Sequence, residues 1–124
     1  MLYHKEITEK IIGAAIEVHR ILGPGLLESA YEECLNYELA NSELRVQRQK
    51  ILPLVYKEAR LDASYRIDLL VENKIILELK AVESINDIHR AQLITYLKLS
   101  GCSVGLLLNF NVSKLTDGLQ RLVV

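Results

Sequence analysis

Tyr65-Arg66-Ile67-Asp68-Leu69-Leu70-Val71-Glu72-Asn73-Lys74-Ile75-Ile76-Leu77-Glu78-Leu79-Lys80-Ala81-Val82 decides how this chain folds. Tyr65 to Glu72 and Lys74 to Val82 read as two strands, and Asn73 between them marks a hairpin. These are the most apolar strands in the sequence, yet Asp68, Glu78 and Lys80 interrupt them. Charges on buried strands are costly unless they are paired or bound to metal. With the hairpin pivoting on Asn73, Asp68 and Glu78 stand at equal separations from the pivot and face each other. A two-residue turn would shift that pairing by one. Glu78 and Lys80 are two apart on one strand, so they share a face.

Two carboxylates this close repel, and one must hold its proton unless a cation is present. A divalent metal resolves the conflict. An all-oxygen donor set without Cys or His points to Mg²⁺ or Mn²⁺. The alternative is a plain polar face, with Asp68 pairing Lys80 as a surface bridge.

Upstream of the hairpin, residues 5–22 read as a helix, with Ile7, Ile11, Ala14, Ala15, Val18, Ile21 and Leu22 at helical spacing. Gly23-Pro24-Gly25 stops it. A second helix spans about 27–41 on the stripe Leu27, Tyr31, Cys34, Leu35 and Leu39. Arg45 to Lys50 suits an exposed strand. Ile51 to Tyr56 is β-prone, with Pro53 demanding an edge or a bulge. Lys57-Glu58-Ala59 reads as a turn. Downstream, Asn86 or Asp87 caps a third helix that runs to about Ser100 and stops at Gly101. Ser103 to Phe110 reads as a buried strand. The tail from Ser113 holds a helical turn and a last strand, Leu119 to Val124. This order predicts an α/β fold with a mixed central sheet flanked by helices, as a single domain over 1–124.

The 124 residues carry a net charge of -1, so a strongly basic nucleic-acid binder is not indicated. A local excess does exist: Arg45, Arg48, Lys50, Lys57, Arg60 and Arg66 stand against Glu58 and Asp62. It suits either a track for a nucleic-acid backbone or an edge strand guarded by charge. Charges near the start and the lack of a long apolar run predict a cytoplasmic protein with no signal peptide and no membrane span. Cys34 and Cys102 are expected as buried free thiols. Gly23-Pro24-Gly25 lacks the Gly-Lys-Ser/Thr ending of a phosphate loop. His19 reads as a helix-end histidine, and His89 can face the groove beside Gln92; neither is taken as catalytic.

Asp68 followed by Glu78-Leu79-Lys80 resembles the D…(D/E)xK signature of PD-(D/E)XK nucleases. Gln92 and Tyr96 resemble the QxxxY motif of the RecB-like members, and residues four apart share a helix face. Gly25-Leu26-Leu27-Glu28-Ser29-Ala30-Tyr31 resembles the signature of the GxxExxY family, which is grouped with those nucleases by fold. Glu17-Val18-His19-Arg20, Pro53 and Tyr56 are similar to that family too, and the resemblance runs from about residue 4 to 124.

The resemblance implies a restriction-endonuclease-like αβββαβ core and a metal-dependent phosphodiesterase acting on DNA or RNA. It gives Asp68, Glu78 and Lys80 as catalytic. Glu28, Asp68, Glu78 and the Leu79 carbonyl would bind Mg²⁺ or Mn²⁺. Gln92, Tyr96 and Tyr31 would bind substrate or support the site. The alternatives for Glu28 and Tyr31 are a first-turn glutamate favoured by the helix dipole and a packing tyrosine. The rival functions are a nuclease fold that binds nucleic acid without cutting, and a protein-interaction module. A core this small leaves room for a homodimer that holds a duplex.

Overall fold

The computed structural model of the chain describes residues 3–124. Helix α1 (Lys5–Leu22) and helix α2 (Glu28–Asn41) come first, followed by β1 (Val46–Tyr56), β2 (Ala59–Val71) and β3 (Ile75–Lys80). Helix α3 (Asp87–Ser100) leads into β4 (Val104–Asn109), a 3₁₀ turn (Leu115–Gly118) and β5 (Leu119–Val123). The five strands lie in the order β1-β2-β3-β4-β5. Only β3 and β4 are parallel, because α3 carries the chain back across the sheet between them. The mixed sheet flanked by helices agrees with the expected α/β class.

Each helix layer buries one face of the sheet. Leu69, Val71, Leu77 and Leu106 pack under α1 and α2, around Tyr31 and Leu35. Ile67, Leu70, Ile76 and Leu107 pack under α3, around Leu93 and Leu97. The period of two fails at one level. Strict alternation would put Ile67 on the same face as Leu69 and Val71, yet it lies on the α3 side. Val46 and Leu52 on β1 are likewise split between the two faces. Between them Gln49 takes a left-handed φ of 51°, and the β1–β2 register skips its pairing with Asp68. Both strands therefore swap faces at Gln49 and Asp68.

Several expectations need correction. Residues 46–56 form one strand rather than two, on the sheet's edge, with a register shift between Pro53 and Val55 where the proline cannot donate. Strand β2 starts at Ala59, so the turn is shorter, and Lys57 takes a left-handed φ of 57° in it. The outer half of β2 has no apolar alternation to announce it; pairing with β1 carries it. Leu27 belongs to no buried stripe: it precedes α2 as its N-cap and is 76% exposed. Cys34 and Cys102 are free, but half-buried rather than buried. His19 is more than a helix-end histidine. It is buried, and its Nε2 lies 2.8 Å from the carbonyl of Val112, tying α1 to the loop after β4.

Candidate metal and catalytic centre

The β2–β3 hairpin turns through Glu72-Asn73-Lys74, with left-handed φ at Glu72 and Asn73. Val71 then pairs with Ile75, Leu70 with Ile76 and Leu69 with Leu77, the register that a pivot on Asn73 predicts. Beyond Leu69 and Leu77 the backbone ladder stops, and side chains take its place. The Asp68 N–H donates to Glu78 Oε1 at 3.2 Å, and the Leu79 N–H donates to Asp68 Oδ2 at 2.9 Å. Each carboxylate is thus fixed by the other's strand. In an extended strand the N–H and C=O of one residue project to the same side. The Leu79 carbonyl therefore faces the Asp68 side.

Glu78 is 4% exposed on the central strand. Burial, and then the charge of Asp68, push its pKa up to about 8. Burial also raises Asp68, and the field of Glu32 adds to that rise; the Leu79 N–H and Lys80 oppose it. Asp68 makes no ion pair with Lys80 among the described residues, so the plain surface bridge is not what forms. The Lys80 ammonium instead donates to Gln92 Oε1 at 3.4 Å. Tyr96, one turn further along α3, is buried, and its ring lies 5.5 Å from that of Tyr65. Burial and the nearby Glu78 and Asp68 charges push the Tyr96 phenol up to about 12, so it stays a hydrogen-bond donor.

The two halves of the expected site thus meet. Asp68, Glu78 and Lys80 come from the sheet, and Gln92 and Tyr96 come from α3. The N-terminal motif behaves differently. Tyr31 is fully buried, stacks on Phe110 at 4.5 Å, donates to the Gly23 carbonyl at 2.6 Å and accepts from the Leu26 N–H at 3.1 Å. It pins the Gly23-Pro24-Gly25 turn and bonds no site carboxylate. Glu28 is exposed and makes no hydrogen bond among the described residues; it reaches Asp68 only as the weakest of five influences on that group. His89 closes the capping box of α3 with Asn86 rather than facing the groove.

The sequence profile of the PD-(D/E)XK nuclease superfamily matches residues 5–122. The chain belongs to this superfamily. No curated protein and no solved structure matches it. Asp68, Glu78 and Lys80 sit where β2 parts from β3, with a helix layer on each side of the sheet.

PD-(D/E)XK nucleases generally use divalent metals, and the donors here fit a hard cation. Asp68 and Glu78 face each other, and burial together with the Asp68 charge favours the protonated form of Glu78; a hard cation held by both carboxylates would relieve the same repulsion. Among the described residues no third His, Cys, Asp or Glu joins them in a cluster.

Two supporting residues were not foreseen. Glu32, buried one turn after Glu28, accepts from Arg48 Nη2 at 3.1 Å and from Gln49 Nε2 at 2.7 Å. It thereby holds β1 at the level where the strands swap faces. Asn109 is buried beside Lys80 and bonds both the N–H and the C=O of Val82, fixing the exit from β3. Its signal was only a polar residue ending an apolar strand.

Three of the six cations in the basic run have separate partners. Arg45 pairs with Glu72, Arg48 pairs with Glu32, and Lys57 lies over the Tyr56 ring. No described helix is long and apolar enough to cross a membrane.

Proposed function

We propose that residues 1–124 form one nuclease domain that hydrolyses phosphodiester bonds in DNA or RNA and depends on Mg²⁺ or Mn²⁺. The observation that carries this reading is that the Asp68 and Glu78 carboxylates each accept a backbone N–H of the other's strand where the β2–β3 ladder ends, with Lys80 two residues on and tied to Gln92. The carboxylates of Asp68 and Glu78 and the carbonyl of Leu79 would hold the cation, with Glu28 at the rim. Once bound, that ion would polarise a phosphoryl oxygen and ease the ionisation of water.

The rest falls to the side chains. Lys80 holds a positive charge beside the carboxylates, suited to the negative charge that builds on a phosphate during displacement. Gln92 limits where the ammonium can go. Tyr96 remains protonated near neutral pH, so it donates a hydrogen bond and does not compete as an anion. Tyr31 and Glu28 fit the GxxExxY pattern in type and spacing. Here the tyrosine supports the site through the turn that starts α2.

The test is cleavage of single-stranded, duplex and branched DNA and RNA at low salt, with Mg²⁺ or Mn²⁺ present, alongside calorimetry of Mn²⁺ binding. Wild type should cut at least one substrate, and Asp68→Asn should lose both cleavage and Mn²⁺ binding. Equal Mn²⁺ binding by wild type and an Asp68→Asn, Glu78→Gln variant would sink the metal site. Binding of nucleic acid without any cutting would favour a silent binding module instead.

A further inference from the structure

The side of α3 that faces away from the core carries an uncharged stripe. Ile88, Ala91, Gln92 and Thr95 recur at helical spacing and all are exposed, Ile88 to 75%. Across from them stands Tyr65 on β2, 38% exposed, its ring tilted 49° against that of Tyr96. These residues enclose a recess of about 250 Å³. No charged side chain lines it. Two phenol rings, aliphatic carbons, one amide and one hydroxyl make up its walls. A phosphate would find no cation there. A flat heteroaromatic ring would find an aromatic face to stack on, and both donors and acceptors for its edge.

Gln92 connects the recess to the centre described above. Its amide oxygen accepts from the Lys80 ammonium at 3.4 Å, and the same side chain forms one wall of the recess. The recess therefore adjoins that centre across the Gln92 side chain. We infer that it receives a nucleobase of the substrate, from a nucleotide adjoining the phosphate at Asp68, Glu78 and Lys80, with Tyr65 as the stacking residue. The identity of the ligand rests on the nuclease reading; the shape and neutrality of the recess do not. A base inside a closed duplex has both faces covered by its neighbours and its edge paired. Only an unstacked base can enter, so the recess selects single-stranded or frayed nucleic acid over closed duplex.

Fluorescence anisotropy in EDTA at low salt measures binding without cleavage. The probes are a labelled single-stranded oligonucleotide, an abasic strand of equal length, and a blunt duplex. Tyr65→Ala should weaken the intact strand about 5- to 150-fold, the range for one lost base stack. Tyr65→Phe should bind as wild type does. The abasic strand should bind weakly to wild type and equally weakly to Tyr65→Ala. Ile88→Ser, at an exposed position that cannot disturb folding, should narrow the ratio of intact to abasic affinity in the same direction. If Tyr65→Ala and Ile88→Ser both leave that ratio at its wild-type value, the subsite is wrong. It is also wrong if blunt duplex binds as tightly as the single strand. Cleavage with Mn²⁺ is scored separately. Base-dependent binding without cutting keeps the subsite and removes the reaction; cutting with base-independent binding does the reverse.

Discussion

Among the described residues two acidic side chains are buried, Glu32 on α2 at 7% exposure and Glu78 on β3 at 4%. Glu32 has cationic and amide donors around it: Arg48 covers one oxygen through Nε and Nη2, and Gln49 covers the other. Glu78 has a second carboxylate as its neighbour, and its one assigned donor is the Asp68 backbone N–H. Both sit at the level where β1 and β2 swap faces, so burial alone does not separate them. Their partners do. A buried carboxylate completed by an arginine is finished as structure. One completed by another carboxylate is unfinished, and it accepts a proton or a cation from solution.

The largest effect is expected from removing the charge that stands beside the unfinished pair. Lys80→Met should reduce cleavage about 10²- to 10⁴-fold, as expected when a positioned group is lost from the reacting centre. Mn²⁺ binding should persist, since an ammonium is no ligand. A variant that cuts as fast as wild type would take Lys80 out of the reaction.

A smaller effect is expected at the finished carboxylate. Arg48→Met strands Glu32 without its charged partner, and unfolding should become easier by about 1–2 kcal/mol; the half-exposed arginine keeps the cost below that of a fully buried pair. Adding Glu32→Gln should recover most of the loss, as read from urea midpoints. If the double variant is no better than the single, the pair is not what holds β1 to α2.

The Glu78 side of this comparison was legible in the sequence and the Glu32 side was not. Asn73 between two apolar runs fixed the register that joins Asp68 to Glu78, because a hairpin leaves few alternatives. Asn86 and Gly101 bounded α3, so Gln92 and Tyr96 fell on the right face. Glu32 had no such local sign. It sits in a helix dense with glutamate, and its arginine lies on another element. The face swap depends on a left-handed φ at Gln49, a backbone state that glutamine does not announce. His19 was misplaced for a related reason: its partner Val112 is 93 residues away. Glu28 drew attention through a motif, yet the helix turns Glu32, four residues on, into the buried position.

The smallest effect per step is a pH slope, and its sign separates the two carboxylates. In the unfolded chain Glu78 titrates near the ordinary 4.5, and in the folded metal-free protein near 8. The folded state therefore binds more protons between those values. Stability linked to Glu78 is fully present below the lower value and is lost as pH rises through the upper one. Asp68, also raised, acts in the same direction. One proton gives at most about 1.4 kcal/mol per pH unit. Metal-free wild type should thus lose melting temperature from pH 5 to 8. Glu78→Gln, which has no proton to lose there, should melt with a flatter profile and above wild type at pH 8. Saturating Mn²⁺ should flatten the wild-type profile as well, because a cation held by both carboxylates replaces the proton that Glu78 gives up. A metal-free slope unchanged by Glu78→Gln would mean that this carboxylate is already satisfied, and the contrast with Glu32 would collapse.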